Sequence, residues 1–245
     1  MNNKLLFFGL MLILLPNALA NGQTTDTENQ RFEVGVHFTT LQSTISDVLD
    51  FSGGCTSSPC ELRIGSTKKM QHGLGGRIGY NMNNYLTFEA EMNIFPSASS
   101  FSRPPAFTGG QKIQGVFGAK AGKRWTKAGV FVKGRPGFLY SSKGDLEFRP
   151  ATACITIFPD PAGCFDTTGK TSFALDVGGV LEVYPSSRTI MRFDVGDTLV
   201  FLSDRRITGD FIPVNGGAPL FVGSVRVPSE TTHNLQISVG VGVRF

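Results

Sequence analysis

The stretch Leu235-Gln-Ile-Ser-Val-Gly-Val-Gly-Val-Arg-Phe245 decides the fold. Leu235, Ile237, Val239, Val241, Val243 and Phe245 are apolar, and the residues between them (Gln236, Ser238, Gly240, Gly242 and Arg244) are small or polar. A period of two belongs to an extended strand, whose successive side chains point to opposite faces. Here one face is wholly apolar. A strand tilted by about 45° crosses a bilayer in roughly 9–11 residues. The run therefore predicts a strand with one face on hydrocarbon and the other on an enclosed interior.

The opposite end predicts export. Lys4 precedes the apolar run from Leu5 to Leu15, which is too short to span a membrane as a helix. Pro16 interrupts it, and Ala18-Leu19-Ala20 has the small residues of a cleavage site. Residues 1–20 read as a secretory signal peptide, with an uncleaved anchor as the alternative. Residues 21–30 are polar and aperiodic, a flexible lead-in to a barrel domain over 31–245. No other segment approaches 18 unbroken apolar residues, so no transmembrane helix is expected.

Seven further stretches repeat the alternation. The first covers about 31–41, with Phe32, Val34, Val36 and Phe38 against Glu33, Gly35, His37 and Thr39. The second covers about 72–82, with Leu74, Ile78, Tyr80 and Met82 against Arg77, Gly79 and Asn81. The third covers about 84–95, with Phe88, Met92 and Ile94 against Thr87, Glu89, Glu91 and Asn93. The fourth, about 112–124, is glycine-rich and sets Phe117, Ala119 and Ala121 against Gln114, Lys120 and Arg124. The fifth covers about 127–140, with Val130, Val132 and Phe138 against Phe131, Lys133 and Arg135. The sixth covers about 170–184, with Phe173, Leu175, Val177, Leu181 and Val183 against Ser172, Asp176 and Glu182. The seventh covers about 188–202, with Met191, Phe193, Val195, Leu199 and Phe201 against Arg192, Asp194 and Thr198. Asp197 falls on the apolar phase of that strand, which predicts a rim position or a bulge.

The connections alternate in length. Short turns (83–84, 125–126, 185–187) alternate with long loops at about 43–71, 96–111, 141–169 and 203–231. This rhythm is that of an outer-membrane barrel, with short periplasmic turns and longer extracellular loops. An even strand count with both ends periplasmic closes the sheet and removes its edges. A soluble β-sandwich, the alternative, does not require the rhythm. The expected fold is all-β: a closed antiparallel eight-stranded transmembrane up-and-down β-barrel. Aromatic girdles are expected at Phe32, Tyr80, Tyr85, Trp125, Tyr184 and Phe245 on the inner side, and at Phe95, Phe138, Tyr140, Phe173 and Phe201 on the outer side.

Composition agrees. Thirty glycines in 245 residues exceed the roughly 7% average, and glycine is frequent where strands crowd or bend. A mean hydropathy near zero is what alternating lipid-facing and interior residues produce. The net charge of +4 is scattered without a basic block, so nucleic-acid binding is not expected.

In Val241-Gly-Val-Arg-Phe245, Gly115-Val-Phe-Gly-Ala-Lys-Ala-Gly122 and Arg188-Thr-Ile-Met-Arg-Phe-Asp-Val-Gly-Asp197 the chain resembles the small eight-stranded bacterial outer-membrane barrels, the OmpA/OmpX-type β-barrel domain. The resemblance covers roughly 31–245 and implies architecture more than activity. It implies that Phe245 is part of the assembly signal read by the barrel-insertion machinery. Members resembling outer membrane protein A often carry a peptidoglycan-binding domain after the barrel, and no such tether is expected after Phe245.

The interior phase carries Glu33, Glu89, Glu91, Asp176, Glu182 and Asp194 with Arg77, Lys120, Arg124, Lys133, Arg135, Arg192 and Arg244. Eight strands leave an interior just wide enough for side chains to fill it. Charges there must pair and hydrogen-bond. They read as a structural lumen network, or alternatively as a narrow ion path, since ionisable groups within a membrane are functional candidates. Cys55 and Cys60 share the first long loop, and Cys154 and Cys164 share the third. In an oxidising compartment they are disulfide candidates. Of three connectivities, the two local pairings are expected; the spacings do not match a zinc knuckle.

His37 lies on the interior phase, and His72 and His233 near outer strand ends. None of them forms a triad that the sequence can define, so no catalytic residue, cofactor or metal is expected. The expected role is structural or adhesive, carried by extracellular loops. The alternatives are a small-conductance porin and, more distantly, a lipid-modifying enzyme. Expected partners are outer-membrane lipid and lipopolysaccharide, the insertion machinery and an extracellular ligand of unknown identity.

Overall fold

A computed structural model describes residues 30–51, 62–96, 106–107, 109–148, 165–211, 221–227 and 229–245. Its elements are β1 (Phe32–Phe51), β2 (Leu62–Asn81), β3 (Leu86–Phe95), β4 (Ala106–Phe107), β5 (Gly109–Arg124), β6 (Ala128–Phe148), β7 (Phe165–Val183), β8 (Thr189–Leu202), β9 (Arg205–Phe211), β10 (Phe221–Val227) and β11 (Glu230–Arg244). Eight of them pair in the order β11-β8-β7-β6-β5-β3-β2-β1, and β11 also pairs with β1. Every one of these pairings is antiparallel, so the sheet closes into the eight-stranded all-β barrel expected from the alternation. The seam runs from Glu33↔Arg244 to Leu41↔Gln236. Phe32 and Phe245 finish it by exchanging two backbone hydrogen bonds of 3.0 Å each.

The barrel is polar inside and apolar outside. Among the described residues, ten buried side chains are hydrophobic and twenty-five are polar or charged, while thirty-two large apolar side chains are exposed. Water-soluble monomers rarely expose apolar patches above a few hundred Å², so this exterior suits hydrocarbon. On β8 the outward residues run from Met191 to Phe201. At about 3.3 Å per residue and a tilt near 40°, that rise is about 25 Å, the height of an outer-membrane apolar band.

The alternation holds through the glycine-rich β5 with no slip between Lys112 and Arg124; its one irregularity lies between Gly109 and Lys112, where Gly110 has φ +79°. Strand ends differ from the expectation. β1 and β2 stay paired out to Phe51↔Leu62, and β6 and β7 out to Phe148↔Phe165, so parts of the first and third long loops continue the strands as projecting hairpins. β4 joins the outer part of β1 at Ser46 and Asp47. β9 and β10 form a separate two-stranded sheet within the fourth loop. The inner connections remain short, at 82–85, 125–127 and 184–188.

Two girdle expectations are corrected. Phe95 is fully buried inside the lumen, because Ile94 takes the outward phase of β3 and the next residue must turn in. Tyr184 is buried at the inner mouth, where its hydroxyl bonds to lumen charges. Phe32, Tyr80, Tyr85, Trp125 and Phe245 are exposed at the inner boundary, and Phe138, Phe173 and Phe201 toward the outer one. Of the two alternatives for Asp197, the bulge is excluded: the pairing on both sides of β8 is continuous there.

Candidate functional site

The barrel interior gathers most of the ionisable residues that share the inward phase. At the inner mouth Arg124 Nη2 donates to Glu33 Oε1 at 2.8 Å and to Asn81 Oδ1 at 2.9 Å, and its Nε donates to the Tyr184 hydroxyl at 3.0 Å. That hydroxyl donates to Glu182 Oε2 at 2.7 Å. Lys120, fully buried, joins Glu33 at 3.3 Å and makes a short contact with Glu182. The lower lumen is thereby laced across strands 87 and 62 residues apart in sequence.

The middle layer is denser. Arg192 donates two bonds to Glu89, at 2.6 and 2.9 Å, and two to Asp194, at 2.8 Å each. Arg135 donates to Glu89 and Glu91 at 2.8 Å each and binds Asp176 through Nε at 2.8 Å and through Nη2. Lys133 bridges Asp176 at 3.0 Å and Asp194 at 3.4 Å. Bidentate guanidinium–carboxylate contacts are among the stronger hydrogen bonds in proteins, and an uncompensated charge at this depth would be costly.

Two charged residues of the inward phase stand apart. Arg244 lies at the rim, its guanidinium 4.4 Å over the Tyr184 ring and its Nε donating to the Ser187 carbonyl at 2.6 Å. Arg77 is buried with its guanidinium against Gly35, and among the described residues no carboxylate lies within ion-pair distance of it. His37 lies inside the lumen, as its phase predicts: Nε2 is 2.6 Å from Asn93 Oδ1 and 3.4 Å from Glu91. Gly75 makes that contact possible, since a Cβ there would fall 1.9 Å from Asn93 Oδ1 and 2.4 Å from His37 Nε2.

Outward of the charges is a layer of neutral polar groups. Asn93 donates to Gln114 at 2.9 Å, Gln114 to Gln236 at 3.0 Å, and Thr198 to Gln236 at 2.7 Å; Ser238 reaches Thr39 at 2.8 Å. Beyond it Leu41, Phe95, Leu139, Ala174 and Val200 form an apolar cluster across the bore. Among the described side-chain polar atoms that are wholly sealed from solvent, only His37 Nδ1 and Asp176 Oδ1 lack a partner. The interior is a stack of three fillings (ionic, amide and apolar) that leaves few polar atoms free. The amides were visible as inward residues, but their mutual bonding depends on barrel closure.

On the outer surface Asp197 is satisfied by its neighbours: His233 Nδ1 lies 2.6 Å away and the Asn234 amide donates to it at 2.8 Å. His72 is exposed and stacks on Phe38 with ring centroids 5.8 Å apart. Its strand β2 is separated from β11 by β1. Phe245 stacks on Phe32 at 6.2 Å at the closing seam. Cys55, Cys60, Cys154 and Cys164, like residues 1–29, lie outside the described residues.

No known family model and no curated protein matches the chain. Among solved structures it is similar to Neisserial surface protein A, at 13% identity, covering 87% of this chain and 97% of that one, with a TM-score of 0.43. It is similar to Ail, the attachment invasion locus protein of Yersinia pestis, in complex with the heparin analogue sucrose octasulfate, at 12% identity, covering 88% and 99%, with a TM-score of 0.42. The N-terminal β-barrel domain of Pseudomonas aeruginosa OprF is similar at 10% identity, covering 89% and 100%, with a TM-score of 0.40.

Proposed function

We propose that the protein is an integral outer-membrane barrel with a structural, surface-contact role: a plugged scaffold that holds extracellular segments rigidly above the membrane. The observation that carries this reading is the filled lumen. Arg192 and Arg135 are fully buried and bonded to Glu89, Glu91, Asp176 and Asp194, and the apolar cluster lies across the bore outward of them. An ion path needs mobile, hydrated groups; these are mutually neutralised. The hairpins β1–β2 and β6–β7, which continue past the apolar band, are the surfaces that would make contacts. Function in such architectures sits in loops carried on a rigid scaffold.

On this reading residues 1–20 direct export, and Phe245 belongs to the signal met by the insertion machinery. Lipid and lipopolysaccharide surround the exterior, and Cys55, Cys60, Cys154 and Cys164 restrain the first and third loops. The porin alternative is favoured by one observation, the buried Arg77 without a carboxylate in contact.

Planar-bilayer recording separates the two. Refolded protein that shifts on a gel between unheated and boiled samples is expected to give no steady openings. Reproducible currents that change when Lys133 and Arg135 are neutralised would replace this reading with the porin. Exchange of the β1–β2 and β6–β7 hairpins, with the barrel still heat-modifiable, is expected to abolish surface binding.

A further inference from the structure

Lys112 is the inward-facing residue at the outer end of β5, paired across the ladder with Phe95 and Ser141. It is only 2% exposed. Lys120 and Lys133 at comparable burial each touch two or more carboxylates. Lys112, by contrast, makes no ion pair or hydrogen bond with any described residue, and burial disfavours its charged form. Arg77 also lacks a contact partner, but it lies within the electrostatic reach of the central charges, Arg192 against it and Asp194, Glu182 and Glu89 in its favour. Lys112 is cut off from those acids by the apolar cluster, of which Leu139 and Val200 also line the Lys112 cavity.

That cavity opens at the outer mouth of the barrel. Besides Lys112 its polar lining includes Ser141, Ser172, Thr232 and Lys170, the last held at 3.4 Å by Asp145. Two lysines, four hydroxyl-bearing residues (Thr44 is the fourth) and the Asn234 amide line one small space, and the described carboxylate in contact with a lining lysine is Asp145. Lys112 Nζ is not among the sealed unpartnered atoms, so it opens on this cavity, and an ammonium with so little water around it is costly unless it is paired. The cavity measures about 30 Å³, where one water-sized group needs about 10–15 Å³ on the same measure. A halide or one carboxylate group fits that volume.

We propose that the outer mouth of the barrel is an anion-binding site built around Lys112, taking a compact singly charged anion, either a halide or a terminal carboxylate. The bound anion supplies the counter-charge that the described residues do not. The site stands on the local geometry and does not depend on whether the lumen conducts.

Linkage gives the test, because a ligand that binds only the folded barrel raises its stability with concentration. Urea-unfolding midpoints of the refolded barrel in detergent are measured at constant ionic strength while a bulky sulfonate is replaced by chloride or by formate. The wild-type midpoint is expected to rise and saturate. Lys112→Met is expected to require at least tenfold more of either anion, and to be no less stable than wild type in the sulfonate alone. A response to formate alone assigns a carboxylate, and a response to chloride a halide. Equal responses of wild type and Lys112→Met, or no response in the wild type, would overturn the proposal. Should Lys112→Met fail to fold, wild-type crystals grown in bromide and in formate decide: an anomalous bromide peak or formate density in contact with Lys112 Nζ supports the site, and the absence of both refutes it.

Discussion

Arg192 illustrates how a charge persists inside this barrel. It is fully buried, and its guanidinium is shared between Glu89 and Asp194 by four hydrogen bonds. Removing one member of such a set is worse than removing all, because the remaining charges stay in a medium that solvates them poorly. Arg192→Met is therefore expected to lower the unfolding free energy in lipid vesicles by about 3–5 kcal/mol. Urea titration of the vesicle-embedded barrel measures it, and a loss below about 1 kcal/mol, the worth of an ordinary hydrogen bond, would mean that water reaches this layer. The inward position of Arg192 was legible from the alternation of β8. Its choice of Glu89, 103 residues away, was not, because that requires the curvature that brings β3 and β8 to face each other.

At the scale of elements, β8 and β11 carry an exception to the apolar exterior. Asp197 stands level with Val177 on β7 and Leu235 on β11, and Leu199 and Phe201 lie beyond it toward the outer rim. A carboxylate so placed is held by His233 and by the Asn234 amide. Charged groups on the lipid face cost most near the midplane, and Asp197 lies inside the band from Met191 to Phe201, so these contacts are what offset its cost. His233→Leu alone is expected to destabilise the folded barrel by about 1–3 kcal/mol by leaving the carboxylate short of a partner. Asp197→Leu combined with His233→Leu is expected to restore or exceed wild-type stability. The comparison of the three unfolding midpoints in vesicles checks this, and a double variant as weak as the single one would show that the pair contributes more than it costs. The sequence located Asp197 on the wrong phase but not its partner, since Asp197 and His233 lie 36 residues apart and meet diagonally across the ladder.

The whole molecule is defined by closure. An apolar exterior and a charged interior are compatible only if the sheet has no edge, because an unpaired backbone group in hydrocarbon costs several kcal/mol. The β1–β11 seam and the two Phe32–Phe245 backbone bonds make that closure. Deleting Phe245 removes both bonds and the stacking on Phe32. The expected result is a severalfold fall in the fraction that reaches the heat-modifiable form in vesicles, read as the gel shift between unheated and boiled samples. Unchanged assembly would show that the seam closes without its last residue.

The chain by itself determined the strand count, the phase of each strand and hence which residues face inward. The reason is that a bilayer outside and a narrow bore inside impose a period of two with no tolerance for slips. Where that constraint lapses, the sequence was silent: β1 and β2 continue as a paired hairpin to Phe51 and Leu62, beyond any apolar alternation that could mark them. Only the tertiary structure decided who meets whom across the lumen. His37 finds Asn93, Arg135 gathers Glu89, Glu91 and Asp176, and Arg244 stays at the rim. Lys112 shares the phase of Lys120, yet it lies on the far side of an apolar cluster. Such pairings follow from the stagger and curvature of a closed sheet, which bring residues many strands apart to one level, and a linear pattern of alternation does not encode that distance.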